Sequence, residues 1–214
     1  MIIAVDGPAA SGKGTLAKGL ARHYHLPHLD TGLLYRAVGL AVIPYESDPD
    51  FDARAIVAAQ MLEYDDLDAE VLAGPGMGPR ASRVSVISGV REALYEFQRE
   101  FATRPDGAVL DGRDIGTVIA PDADVKLFIV ADSRRRAERR SRQFERRGES
   151  FNLDDIQSSI EDRDRRDRDN PHGGFYPAND AHLLDTTDLS IDGALRAAVA
   201  IVDGVMAKKA GRES

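Results

Sequence analysis

The alternation of apolar and polar positions divides the chain into strands and helices in regular succession. Residues 2–6 are an apolar, β-branched run that stops at Gly7, the pattern of a buried strand. Over 13–25, Leu16, Leu20 and Tyr24 recur four apart, which predicts a helix. His28-Leu29-Asp30 predicts a short second strand. Ala108 to Asp111, bounded by Pro105-Asp106-Gly107, predicts a third, and 125–130 (VKLFIV) is the clearest of all. His182 to Asp185 is the last, followed by a final helix over 191–207. Strands alternating with helices imply an α/β fold, a parallel sheet wound by right-handed crossovers.

Two stretches do not fit that core. Residues 41–90 are rich in Asp, Gly and Pro and read as an excursion from the sheet. Residues 132–170 carry twelve arginines among interspersed acids and few apolar side chains. The helix predicted from Ser133 to Arg147 has only Ala137 and Phe144 to bury, and Gly148 follows as its C-terminal stop. Such a helix is either a solvated charged surface or an arginine-bearing flap over a polyanion.

At 214 residues, 43% hydrophobic and 30% charged, the chain is long enough for one domain with a real core. It has no cysteine, which excludes disulfides and thiolate metal sites and suits a cytoplasmic protein. The N-terminal apolar run is too short for a signal peptide, and no run reaches the length of a membrane span. A net charge of −8 argues against nucleic acid as a partner. The histidines have no metal-ligand spacing, and His172 beside Gly173-Gly174 reads as a loop residue.

Chemistry concentrates first in GPAASGKGT: Gly7, Pro8, Ala9, Ala10, Ser11, Gly12, Lys13, Gly14 and Thr15. This is the outline of a phosphate-binding loop, placed between a strand and a helix as the motif requires. Glycines let successive backbone N–H groups converge on phosphate oxygens, the helix start adds positive potential, and Lys13 adds a point charge. The motif expects Ser or Thr where Gly14 stands, and that hydroxyl ordinarily ligates Mg²⁺. Mg²⁺ must then be held by phosphates, water and acids elsewhere, while Thr15 can still donate to a phosphate. A GKGT ending points to small-molecule phosphoryl transfer, and no Asn-Lys-x-Asp guanine reader is present.

Six further motifs occur in order: LDTGLLYRA (29–37), SGVREAL (88–94), LDGRDIGTVIAPDADVKLFI (110–129), RRRAERR (134–140), DRDRRDRD (162–169) and DAHLLDTTDLS (180–190). Together with the loop they strongly resemble the bacterial cytidylate kinases over nearly the whole chain, thinning only across 41–81. The resemblance implies a five-stranded parallel P-loop core (about 1–40, 91–131 and 171–214), a monophosphate-binding insert (about 41–90) and an Arg-rich lid (about 132–170). It implies transfer of a phosphoryl group from ATP, with Mg²⁺, to CMP or dCMP by a cytoplasmic enzyme expected to be a monomer.

By the same resemblance Arg36 and Arg113 clamp the acceptor's phosphate, Ser82, Arg91 and Asp114 hold cytosine, and Arg163 and Asp167 contact the sugar. Steps of 4, 3 and 4 from Ile156 through Ile160 and Arg163 to Asp167 make one helix face, with the isoleucines turned inward. Thr31 and Tyr35, one helical turn apart, face the acceptor or, for Tyr35, pack into the core. Asp111 ends an apolar strand, as a metal-associated acid does, and is assigned to Mg²⁺ through water; the alternative is a carboxylate bonding Lys13 or the loop. Arg91 opens a helix whose expected core stripe is Val90, Leu94, Phe97 and Phe101. Departures from the family pattern are Asn170, where a further arginine is expected, and Gly89 before Val90-Arg91 in place of proline. Another small P-loop kinase, or a non-catalytic module gripping RNA through its arginines, stands as the alternative reading.

Overall fold

The structure, a computed structural model, describes residues 1–64, 67–74, 76–146, 148–169 and 175–213. Asn170 and His172, singled out above, lie outside the described residues. The elements in chain order are β1 (Ile2–Asp6), α1 (Lys13–Tyr24), β2 (His28–Asp30), α2 (Thr31–Ala41), α3 (Phe51–Gln60), α4 (Ala69–Leu72), α5 (Met77–Val84), α6 (Ser88–Ala102), β3 (Ala108–Gly112), β4 (Val125–Val130), α7 (Ser133–Glu145), α8 (Leu153–Arg168), β5 (His182–Asp185) and α9 (Ile191–Glu213). They form two compact units, one of Met1–Leu29 with Ala102–Ser214, the other Asp30–Phe101.

The first unit is built on a five-stranded sheet in the order β2-β3-β1-β4-β5. β1 pairs in parallel with β3 and β4, and β4 with β5. β1, β3 and β4 are buried almost throughout, as their continuous apolar runs require of strands covered on both faces. β5 lies at the edge, so of its apolar pair only Leu184 is buried and Leu183 is exposed. On one face Leu16 and Leu20 of α1 pack with Ala194, Ala198 and Val202 of α9 against Ile3, Val5, Leu127 and Ile129. The steps of four in both helices place these side chains on one stripe each. α7 and α8 pack on one another around Ala137, Ile156 and Ile160, with Ala10, Phe144 and Leu153 at the margin. The chain leaves α7 through Gly148, whose φ of 74° lets its N–H reach the Glu145 carbonyl while the Glu149 N–H reaches that of Phe144.

The second unit is helical and takes in α2 and most of α6 as well as the stretch between them. α2 crosses α5 so closely that a Cβ on Gly39 would lie 3.0 Å from the Cβ of Arg80 and 3.1 Å from its carbonyl carbon. Phe51, Ala55, Leu72, Met77, Ala81 and Val84 fill the space around that crossing. Along α6 the buried positions are Val90, Leu94, Gln98, Phe101 and Ala102, while Phe97, expected in the core, is only half-buried. Gln98 tolerates burial because its Nε2 donates to the Leu94 carbonyl at 2.8 Å, one turn back.

Gly39→Val inserts three carbons into the α2–α5 crossing. It is expected to cost roughly 1–3 kcal/mol, read as a fall in Tm. An unchanged Tm would mean that the two helices part without penalty.

Candidate active site

The site begins where β1 runs out. Gly7 has φ 153°, and a Cβ there would sit 2.3 Å from the carbonyl oxygen of Ile129. No side chain fits, so glycine is required for the chain to turn past β4. Ala10 (φ 59°) and Gly12 (φ 91°) then bend the backbone left-handed, and α1 starts at Lys13. No side-chain hydrogen bond caps that helix, and an uncapped helix N-terminus suits an anion.

The loop's carbonyls are taken up in alternation. Gly7 O accepts from Arg113 Nη1 at 3.0 Å, Ala9 O from Arg136 Nη1 at 3.1 Å, and Ser11 O from Arg139 Nη1 and Thr186 Oγ1, both at 3.1 Å. Because a trans peptide sets C=O and N–H on opposite sides, holding the carbonyls of Ala9 and Ser11 turns the N–H groups of Ala10 and Gly12 the other way. Lys13 Nζ donates back to Pro8 O at 3.3 Å.

The base of the loop is fixed from below. Asp6 accepts from the N–H groups of Ile115 (2.9 Å) and Gly116 (2.8 Å), which begin a single π-helical turn over Ile115–Ile119. Asp114, also buried, immediately precedes that turn. At the end of β3, Asp111 lies 2.7 Å through Oδ1 from His28 Nε2. A Cβ on Gly14 would be 3.5 Å from the other oxygen, Oδ2, so this carboxylate sits directly beside the start of α1. Among the described residues no group of three or more His, Asp or Glu side chains could hold a metal ion. A carboxylate such as Asp111 beside the start of α1 fits an ion that takes most of its ligands from phosphate and water.

Arg113 donates through Nε to Asp167 at 2.7 Å, so the phosphate-clamp candidate and the sugar-contact candidate are joined. On α8 the third buried position after Ile156 and Ile160 is Asp164, four residues on, while Arg163 and Asp167 are half-buried. Of the α7 arginines, Arg136 and Arg139 turn to the loop; Arg134 bonds Asp154 and Gln157 at the surface, and Arg140 bonds Gln143. Thr15 is exposed on the first turn of α1. In the second unit, Thr31 is buried at the start of α2 and Tyr35 and Arg36 are half-buried along it. Ser82 lies on α5, its carbonyl accepting from Ser85 Oγ at 3.0 Å, and Arg91 stands in the first turn of α6. Asp164, Thr186 and His28 are the additions to the site that the sequence reading did not assign. Only Asp164 left a signal there, as the four-residue continuation of the Ile156–Ile160 stripe.

A parallel sheet whose first strand leads through a phosphate loop into a helix, ringed by arginines and a strand-end carboxylate, defines a phosphate-loop phosphotransferase. Residues 3–203 match the family model for cytidylate kinase. The chain is 52% identical over 205 residues to the cytidylate kinase of Nitrobacter winogradskyi, spanning 96% of this chain and 97% of that one. It is 50% identical over 209 residues to the cytidylate kinase of Afipia carboxidovorans, spanning 98% and 100%. The chain therefore belongs to the cytidylate kinase family of nucleoside monophosphate kinases. A crystal structure of an uncharacterized protein from Eubacterium ventriosum shares the fold, with a TM-score of 0.55 at 18% identity over 95% of this chain and 98% of that one.

Burial pushes the Asp6 carboxyl up from 3.8 to about 6, against the Gly116 and Ile115 amide bonds and Lys13, which favour the ionised form. The folded value lies above the unfolded one, so this contribution to stability is present below 3.8 and is lost as pH rises through about 6. Asp6→Asn does not titrate. The stability of the variant relative to wild type is expected to improve between pH 4 and pH 7 by on the order of 2–3 kcal/mol. A relative stability that stays level across that range, measured by chemical denaturation, would mean that Asp6 titrates alike in the folded and unfolded chain.

Proposed function

We propose that the chain transfers the terminal phosphoryl group of ATP, bound with Mg²⁺, to CMP or dCMP, giving ADP and CDP or dCDP. The observation that carries this is the loop from Gly7 to Thr15, whose carbonyls at Gly7, Ala9 and Ser11 are held by arginines while the start of α1 is left uncapped. Membership of the cytidylate kinase family supports the acceptor. A phosphate oxygen of the nucleoside monophosphate attacks the terminal phosphorus of ATP, and the bond to the bridging oxygen of ADP breaks. Little covalent work falls to the protein; alignment and neutralisation of charge carry the catalysis. Mg²⁺, when bound, would supply charge neutralisation on the donor phosphates, and Asp111, steadied by His28, would help hold it.

Lys13 leaves Pro8 O for the terminal phosphate. Arg113, fixed at Nε by Asp167 and at Nη1 by Gly7 O, presents its remaining edge to the acceptor's phosphate together with Arg36. Ser82, Arg91 and Asp114 read the base, Arg163 and Asp167 the sugar, and Thr31 and Tyr35 line the acceptor side. The stretch 41–90 serves the monophosphate, and 132–170 is the lid that excludes water when both substrates are bound. No helix among the described residues is long and apolar enough to cross a membrane. We take the enzyme to act in the cytoplasm as a monomer, with no nucleic-acid partner.

A coupled assay of ATP consumption with CMP, dCMP, UMP, AMP and no acceptor in parallel tests this reading. Turnover with CMP and dCMP alone is expected; equal consumption without acceptor would overturn it. Lys13→Ala is expected to lower kcat by orders of magnitude without lowering Tm, because Lys13 acts on developing charge and not on packing. Near-normal turnover would remove the loop from the reaction.

Base reading gives a second prediction. Cytosine offers an amine at position 4 and an acceptor at N3, and uracil reverses both. A carboxylate at Asp114 accepts from the amine, and Arg91 donates to N3 or O2. Uracil leaves these groups unpaired at roughly 1–3 kcal/mol each, so CMP is preferred over UMP in kcat/KM. Asp114→Asn is expected to narrow that ratio, since an amide can rotate to donate to the uracil carbonyl. Equal loss with both substrates would assign Asp114 to orienting Arg113.

A further inference from the structure

The other α7 arginines are exposed or half-buried, but Arg136 is 6% exposed and its partner Asp164 on α8 is 5% exposed. Arg136 donates through Nε to Ala131 O at 3.0 Å and through Nη1 to Asp164 Oδ2 at 2.6 Å and Ala9 O at 3.1 Å. Burying two charges is expensive, and Asp164 Oδ1 is buried with no partner. As a device for stability alone the pair is poorly made, since well-packed apolar residues of the same volume commonly do as well or better. What an apolar pair does not provide is a donor for the Ala9 carbonyl.

That carbonyl lies at a critical point of the loop. The next residue, Ala10, is a non-glycine residue with φ 59°. Such a conformation persists only where the surroundings hold it. The surroundings here are the α7–α8 pair itself: Ala10 packs against the Ala137, Ile156 and Ile160 cluster while Arg136 holds the peptide that precedes it. We propose that Arg136, oriented by Asp164, is a positioning residue for the donor phosphates. It fixes the Ala9–Ala10 peptide so that the Ala10 N–H points to the phosphate side of the loop. Asp164 acts through Arg136, and neither side chain touches substrate. The inference rests on the reading of Gly7–Thr15 as the ATP phosphate site.

Three variants test it: Asp164→Asn, Arg136→Lys and the paired apolar variant Arg136→Met with Asp164→Leu. The readouts are ATP affinity by calorimetry, KM for ATP and for CMP, and Tm. Each variant is expected to bind ATP roughly tenfold more weakly, with KM for CMP within about twofold of wild type. The paired variant is expected to recover the Tm lost by Asp164→Asn but not the ATP affinity, which a merely structural role would restore together. Wild-type ATP affinity in the paired variant, or equal losses for ATP and CMP, would overturn the inference. Failure of the wild-type enzyme to bind ATP would overturn the phosphate-site reading and this inference with it.

Discussion

Everything in the first unit is arranged around one constraint: the backbone must reverse its hydrogen-bonding direction between Asp6 and Lys13 without losing its polar groups to burial. β1 is buried at the centre of the sheet, and α1 starts within seven residues of its end. Strand and helix satisfy their own N–H and C=O groups, but the turn between them does not. At Gly7 the passage is so narrow that a Cβ would meet Ile129 O at 2.3 Å. The carbonyls of Gly7, Ala9 and Ser11 accept from Arg113, Arg136 and Arg139, with Thr186 as a second donor to Ser11. Accounting for the carbonyls and orienting the amides are therefore one structural fact.

This gives the arginines of the chain two physical roles, which composition cannot tell apart. An arginine is well suited to the loop because its planar fork can engage several acceptors at once and stays charged when partly desolvated. Arg136 meets three acceptors and Arg139 meets Ser11, Thr186 and Thr187. Arg134, Arg135 and Arg165, by contrast, pair with carboxylates at the surface, where salt and water make an ion pair worth little. The same residue type thus builds the wall of an anion site and an ordinary solvated face within one helix pair. The net charge of −8 belongs to the whole chain and does not describe the local field at the loop.

The distinction also explains what could be read from the sequence. β1, β3 and β4 were legible because each is a short, mostly apolar run, and the sheet buries such runs on both faces. The phosphate loop was legible because its glycines are demanded by backbone geometry that only glycine meets. α9 runs on to Glu213, past the 207 that the pattern gave, because its last turns are polar and carry no stripe to read. Gln98 displaced Phe97 from the buried stripe because helical phase is set by packing, and an amide that bonds its own helix can follow that phase inward. The pairings of Arg136 with Asp164, His28 with Asp111, and Asp6 with the Ile115 and Gly116 amides left no local trace, although Asp164 itself continues the Ile156–Ile160 stripe, since each joins residues far apart in the chain. Their partners are fixed by how elements meet, which periodicity does not record.

Gly14, the departure from the usual loop motif, is consistent with this arrangement. A Cβ there would stand 3.5 Å from Asp111 Oδ2, an ordinary contact, so glycine is not forced by space. A serine at this position would place its hydroxyl beside a buried carboxylate whose Oδ1 bonds His28 at 2.7 Å, where it could donate to that carboxylate. With no side chain at residue 14, no hydroxyl from that position engages the Asp111 carboxylate. The His28 imidazole helps hold that carboxylate in place. An acid fixed in that way can act at the distance of one water, which suits an ion that dehydrates reluctantly and keeps several of its own waters. On the proposed reading the missing hydroxyl and the His28–Asp111 bond belong together: the carboxylate would steady waters around the metal, and phosphate and water would be its direct ligands.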